Sequence, residues 1–401
     1  MAAGTTRNAS ADPPPRLTSI DAYRGLVMLL MLAEVLRLPQ VAAALPESEF
    51  WRVLGRQQTH VEWLGCTLHD LIQPSFTFLV GVALPFSLAA RAKFNEPRWR
   101  TTAHAFARAG VLVLLGIFLR SLGQPRTNYT FEDTLTQIGL GYGFLYLIAQ
   151  TPFRWQLVTL AALLVGYWGL FAAYPTPADY PDPALHGVPA TWPHRLTGWE
   201  GHWAKNGNAA WAFDTWFLNL FPRESPFRFN RGGYATLSFV PTLGTMILGL
   251  FAGTALQSNR PTARKLGLLI ATGVALLAVG WGLGASGVCP VVKRVWTPSW
   301  VLFSGGAGFL TLAGFSAATD AVGLRRVAYP LVVVGANSIA AYLMEHLFAG
   351  LTRDALKRHL GADAFRAFGP EYEPLVEGGA VLLVFWLVLW AMFRRRWFLK
   401  L

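Results

Sequence analysis

Charge is what this 401-residue chain lacks most: 14% of its residues are Asp, Glu, Lys or Arg, where a soluble domain carries about 25%. With 53% hydrophobic residues and a positive mean hydropathy, that shortage excludes an ordinary soluble globule. Cysteine is nearly missing. Cys66 and Cys289 cannot build a disulfide framework or a thiolate metal site; one bridge is the most they permit. Acidic residues are also few, 22 against 34 basic ones, which leaves a net charge of +12. The basic residues fall in short clusters between apolar runs, and no basic stripe interleaved with aromatics lies on a soluble segment. This pattern orients a chain in a membrane and argues against nucleic-acid binding. A signal-peptide pattern is absent too: "MAAGTTRNASADPPPR" lacks the charged-then-apolar order, so residues 1–15 read as a disordered tail.

What is present is a series of apolar blocks of membrane-spanning length, about 17–25 residues each. Ten are expected, near residues 22–45, 69–90, 104–122, 134–151, 156–174, 234–256, 265–286, 298–318, 328–349 and 375–393. The fold class is therefore all-α: a polytopic integral membrane bundle of about ten unbroken helices, forming one domain over residues 16–401. Lys and Arg in "RAKFNEPRWR", "QTPFRWQ", "QSNRPTARK", "VGLRR" and "FRRRWFLK" put both termini in the cytoplasm, although "KRVW" and "TRDALKRH" fall on the other side. A long, proline- and tryptophan-rich connection at about 175–233 then lies outside the cytoplasm as an ordered cap. Its His186, His194 and His202 recur every eight residues, a spacing that fits neither a helical ligand pair nor a zinc motif. No metal is expected, and no internal repeat argues for an inverted-repeat transporter.

Ionisable residues near apolar runs cost free energy unless satisfied. "THVEWLGCTLHDLIQPSFTFLVG", Thr59 to Gly81, holds several. Thr67-x-x-Asp70 has the form of a capping box before the second span, as does Thr18-x-x-Asp21 before the first. A cap accounts for the aspartates but not for His60, which is either an interfacial histidine or a proton-transfer or nucleophilic group tuned by a nearby carboxylate. His69, beside Asp70, is a rival for that role. Glu34 and Arg37 stand one turn apart, as an ion pair or as the lining of a polar cavity. Ser338, Tyr342 and Glu345 share a helical stripe with Asn337 and His346 close by. Arg24, three residues after Asp21, is a local partner or a phosphate contact.

In order along the chain, "RLTSIDAYRGLVMLLMLAEV", the Thr59–Gly81 stretch, "GYATLSFVPTLGTMILGLFAG", "CPVVKRVWTPSWVL" and "VVVGANSIAAYLMEH" resemble the heparan-α-glucosaminide N-acetyltransferases, the lysosomal enzymes and their bacterial relatives. The resemblance runs from about Arg16 to the tenth span. It implies transfer of an acetyl group from cytosolic acetyl-CoA, as co-substrate, to an amino sugar or polysaccharide outside the cytoplasm. His60, Trp63, Gly65, Thr67 and Asp70 match the family's His-x-x-Trp-x-Gly-x-Thr-x-x-Asp pattern. That implies His60 as general base or transient acyl acceptor and Asp70 as its support. Trp63, Lys293, Trp296, Asn337 and Ser338 match the family's motifs and are implied for the substrate cavity. Arg24, Glu34, Glu345 and His346 are added to the substrate and cofactor cavity as polar residues placed near it, and Lys293 or Asn337 is expected to face the oxyanion. A bacterial cytoplasmic membrane is the implied location, and a homodimer is compatible. Departures are Gln73 and Ser75 in the usually phenylalanine-rich run, Glu34 and Val35 where an asparagine is usual, and the order Glu345-His346. A membrane O-acyltransferase acting on exported polysaccharide, and a small-solute transporter using Glu34, Arg37 and Glu345, are the alternative readings.

Overall fold

The computed structural model describes residues 17–92 and 96–399; the expected tail over residues 1–15 lies outside them. Among the described residues there is no strand, only an isolated bridge between Leu64 and Val292. The helices are α1 Thr18–Leu32, α2 Leu38–Ala44, α3 Glu49–Gln57, α4 Ile72–Ala92, α5 Arg98–Ser121, α6 Thr134–Ile148, α7 Phe153–Ala173, α8 Ala209–Phe217, α9 Phe239–Gln257, α10 Thr262–Ala285, α11 Pro298–Phe315, α12 Arg325–Gly335, α13 Ser338–Leu360 and α14 Glu373–Arg394. Seven described helices are long and apolar enough to cross a membrane, or up to nine if each of two bent pairs is one span. The chain is thus a polytopic helical membrane protein. The remaining expected segment is α6, apolar but only 15 residues long.

Two of the expected continuous spans are broken. The first bends by 41° between Thr18–Leu36 and Leu38–Ala44, at Arg37, whose φ of 50° is left-handed. The other bends by 58° between α12 and α13, where Asn337 flanks the second helix. The first expected capping box does not form either: Leu17 caps α1 without a side-chain bond, and Asp21 pairs with Arg24 at 3.2 Å.

Helices α4 and α9 form the centre because small residues let their backbones touch. A Cβ on Gly81 would overlap the Met246 carbonyl, and one on Gly249 would overlap that of Phe78. Close approach through glycine is how lipid-embedded helices gain packing where no water drives them together. The outer helices show the complementary pattern. Leu114 and Phe118 on α5, Val165 on α7, Val274 and Trp281 on α10 and Leu383 on α14 are all exposed, as a lipid-facing surface requires. At one end, residues 174–235 fold into a cap. Leu196 and Trp203 of the cap form a buried core together with Trp63, Tyr167, Phe171 and Val295 of the bundle and its loops, and the Asn208 side chain accepts from Ala210 and Trp211 N–H to start α8. This cap holds the site against the bundle.

Candidate active site

The connection from α3 to α4 and the connection from α10 to α11 are stitched together under the cap. Gly65, at φ 102°, donates its N–H to the Val291 carbonyl at 3.2 Å, beside the Leu64–Val292 bridge. Arg294 donates to the carbonyls of Val61 at 3.0 Å and Gly232 at 2.9 Å. The Tyr167 hydroxyl donates to the Val295 carbonyl at 2.9 Å. These bonds bring Lys293 beside His60, though 233 residues separate them in the chain.

His60 Nδ1 lies 2.8 Å from Asp70 Oδ1, Lys293 Nζ lies 3.1 Å from the same nitrogen, and Lys293 Nζ lies 3.3 Å from Asp70 Oδ1. An ionised carboxylate only accepts, so the shortest contact assigns the proton to Nδ1 and leaves Nε2 its lone pair. The second carboxylate oxygen accepts from Val61 N–H at 3.2 Å and Thr67 N–H at 3.1 Å, and sits 2.9 Å from the Thr67 hydroxyl. Only the carboxylate half of the second expected capping box forms, since Asp70 accepts from Thr67 N–H while no side chain caps the turn His69–Leu71; Asp70 serves the imidazole as well. Its side chain is 1% exposed and that of Lys293 4%, whereas the His60 ring is 36% exposed at the rim.

Burial pulls the His60 pKa below its ordinary value, against the opposing pull of the Asp70 hydrogen bond. The neutral ring with a free lone pair is then the form present near neutrality, fit for a base or a nucleophile. Burial also pushes Lys293 down, to about 8, with Asp70 opposing. An ammonium only donates, so the protonated Nδ1 is a close neighbour of Lys293 and not its acceptor; Lys293 is committed to Asp70 at 3.3 Å and positions the carboxylate that holds the ring. Both cysteines are free. Burial pushes the Cys66 thiol up to about 12, which keeps it protonated and inert.

The other expected site residues divide into three groups. Glu34 reaches the cluster, its carboxylate 3.4 Å from His69 Nε2. Its side chain parts from Arg37, which turns to Glu377 at 3.5 Å. Glu345 and His346 pair at 2.7 Å, with electrostatic reach to Glu34. Trp63 and Trp296 are buried supports. Trp63 donates to the Trp203 carbonyl at 3.1 Å and Trp296 to the Thr245 hydroxyl at 3.1 Å. Arg24, Asn337 and Ser338 stand apart from His60. Arg24 pairs with Asp21 near the start of α1. Asn337 is fully buried and accepts from Leu399 N–H at 3.2 Å, beyond the far end of α14; Ser338 follows it as the first residue of α13. The oxyanion role expected of Asn337 has no place there. His186, His194 and His202 do not converge: Asn206 donates to the His186 carbonyl at 2.8 Å, His194 lies 3.7 Å from Glu62, and His202 Nδ1 lies 2.7 Å from the Tyr174 carbonyl.

His69 is the residue whose weight sequence reasoning underrated. Its ring centroid lies 4.4 Å from that of His60. The available signal was its place beside Asp70 at the head of the second span. Arg294, which ties Val61 to Gly232, was carried only as one basic residue of "KRVW".

No protein-family model matches the chain. Over 106 residues it is 26% identical to the human heparan-alpha-glucosaminide N-acetyltransferase. That similarity covers 26% of this chain and 14% of the human protein's length, a distant relationship to a protein named for acetyl transfer.

Proposed function

We propose that the protein is a membrane acyltransferase that moves an acetyl group from acetyl-CoA to an amino sugar or glycan on the cap side. His60 Nε2 is the group that takes either the acceptor's proton or the acyl group itself. The carrying observation is the buried Asp70 carboxylate, itself paired with Lys293, holding His60 Nδ1, which fixes the ring and leaves Nε2 as its basic nitrogen. An imidazole whose remote nitrogen is held by a buried carboxylate is the arrangement acyl transfer uses to raise basicity and stabilise the imidazolium that forms.

Two ends of one helix serve the two substrates. The turn His69–Leu71 opens into α4, so Asp70 sits at one end of that helix, and Arg91 lies in its last turn. A cleft at the Arg91 end is lined also by His104 and Arg108 of α5 and Tyr142 of α6. It offers cationic groups of the sign that a CoA nucleotide requires. On this reading the basic loops favour that end as cytoplasmic, with the cap on the opposite face of a bacterial cytoplasmic membrane. The glycan acceptor then approaches His60 from the rim, beneath the cap.

The test is acetylation of glucosamine by purified protein with radiolabelled acetyl-CoA. The wild type transfers label, and His60→Ala transfers none while eluting as a folded species. Wild-type turnover in His60→Ala removes His60 from the chemistry. Product screening against hydroxyl acceptors separates N- from O-acetylation.

A further inference from the structure

His60 is not the only imidazole–carboxylate pair at the rim. His69 lies in the turn that opens into α4, its ring centroid 4.4 Å from that of His60 at an interplanar angle of 49°. Its Nε2 is 3.4 Å from Glu34 Oε1, with side-chain exposures of 10% for His69 and 46% for Glu34. The break at Arg37 ends the first span there, so Glu34 stands where the helix stops. Two rings at that separation can serve one reacting centre, and each has its own carboxylate. Asp70 is wholly committed to His60, Thr67, Val61 and Lys293. Glu34 faces His69, with Glu345, His346 and Lys293 in electrostatic reach.

We infer that His69, oriented by Glu34, is a second catalytic base and acid of this site, which carries the acceptor's proton while His60 carries the acyl group. The inference rests on the acyl-transfer reading of His60 and gives that reading a proton balance. His60 Nε2 bonds to the thioester carbonyl carbon as the C–S bond breaks. CoA departs as the thiolate, which stays at the site, while His69 is a neutral base. The acceptor amine then attacks the same carbon and the C–Nε2 bond breaks, its electron pair returning to Nε2. The amine's surplus proton passes to His69, and from His69 to the CoA thiolate, which leaves as the thiol. One acetyl group and one proton have moved, and both rings are restored. An acylated His60 cannot act as base, so the second ring supplies what the first has given up.

Steady-state transfer from acetyl-CoA to glucosamine, measured for wild type, His60→Ala, His69→Ala, His69→Gln and Glu34→Gln, decides it. Expected are a kcat about 10²-fold lower in both His69 variants, a KM for acetyl-CoA within about twofold of wild type, and partial recovery of His69→Ala by added imidazole. A merely structural histidine gives no such recovery. Wild-type kcat in either His69 variant, with His60→Ala inactive, overturns this inference and leaves the His60 reading standing. An inactive wild type overturns both. If neither His69 variant folds, Glu34→Gln decides: a lowered kcat with a shifted acid limb supports the relay, and an unchanged pH profile overturns it.

Discussion

Asp70 and Lys293 show how much of one imidazole's behaviour is set by groups it touches only at its remote nitrogen. Replacing Asp70 with Asn keeps the shape but removes the charge that stabilises an imidazolium, so kcat should fall about 10²-fold with little loss of folded protein. Asp70→Ala leaves the Lys293 ammonium buried without its partner, which costs about 3–5 kcal/mol; a lowered melting temperature checks it. The pH dependence follows from the two shifted groups. Above the lowered pKa of His60 the ring is the free base, and below about 8 Lys293 still holds its proton. Activity therefore rises with pH to a plateau reached before neutrality, then falls near 8 as the ammonium is lost. Lys293→Arg keeps the charge at higher pH, so in that variant the alkaline fall should move upward. An alkaline limb unmoved by Lys293→Arg removes the lysine from the profile. His60 and Asp70 were legible because one short motif contains both. The His69–Glu34 contact was not, since it depends on where the first span stops against the turn that opens into α4, and no local spacing encodes that pairing.

At the scale of elements, the site depends on two loops docking in register. Gly65 occupies a backbone region closed to most side chains and donates to Val291 there. Gly65→Ala should cost about 1–3 kcal/mol in stability and lower kcat, because the strand-like contact that carries Lys293 to His60 is displaced. Retention of full activity and melting temperature in that variant argues that the loop pairing is dispensable. Helix positions were largely legible from apolar block length: α4, α5, α7, α9, α10, α11 and α14 each overlie an expected span. The breaks were missed. Pro39, at the start of α2, was the local signal for a stop near Arg37, and packing of Gly378 of α14 against the Val35 carbonyl accompanies the bend. Asn337, read as lying along the ninth span beside the polar stripe, instead marks the bend between α12 and α13 and holds the C-terminal segment through Leu399. Periodicity places a residue on a face but does not say that the helix will stop beside it.

For the molecule as a whole, the groups of the proposed site gather at the cap end and basic groups line the cleft at the Arg91 end of α4. His60, Asp70, Lys293, His69 and Glu34 lie near the cap. Glu377 is nearby in the fold, buried and within 3.5 Å of Arg37, Arg353 and Lys357. These groups are held in local pairs and are not spaced along a path through the bundle, a distribution that favours a rim-sited reaction over solute passage. Glycine contacts hold α4 against α9, and Gly249→Val should prevent assembly, seen as loss of the monodisperse species on gel filtration. The central claim is that acetyl supplied at the Arg91 end of α4 reaches an acceptor at the cap end through His60. Sealed vesicles of uniform orientation, with labelled acetyl-CoA confined to the Arg91 side and glucosamine to the cap side, measure this directly. The account predicts labelled N-acetylglucosamine on the cap side for wild type and none for His60→Ala; equal labelling by the two proteins would contradict it.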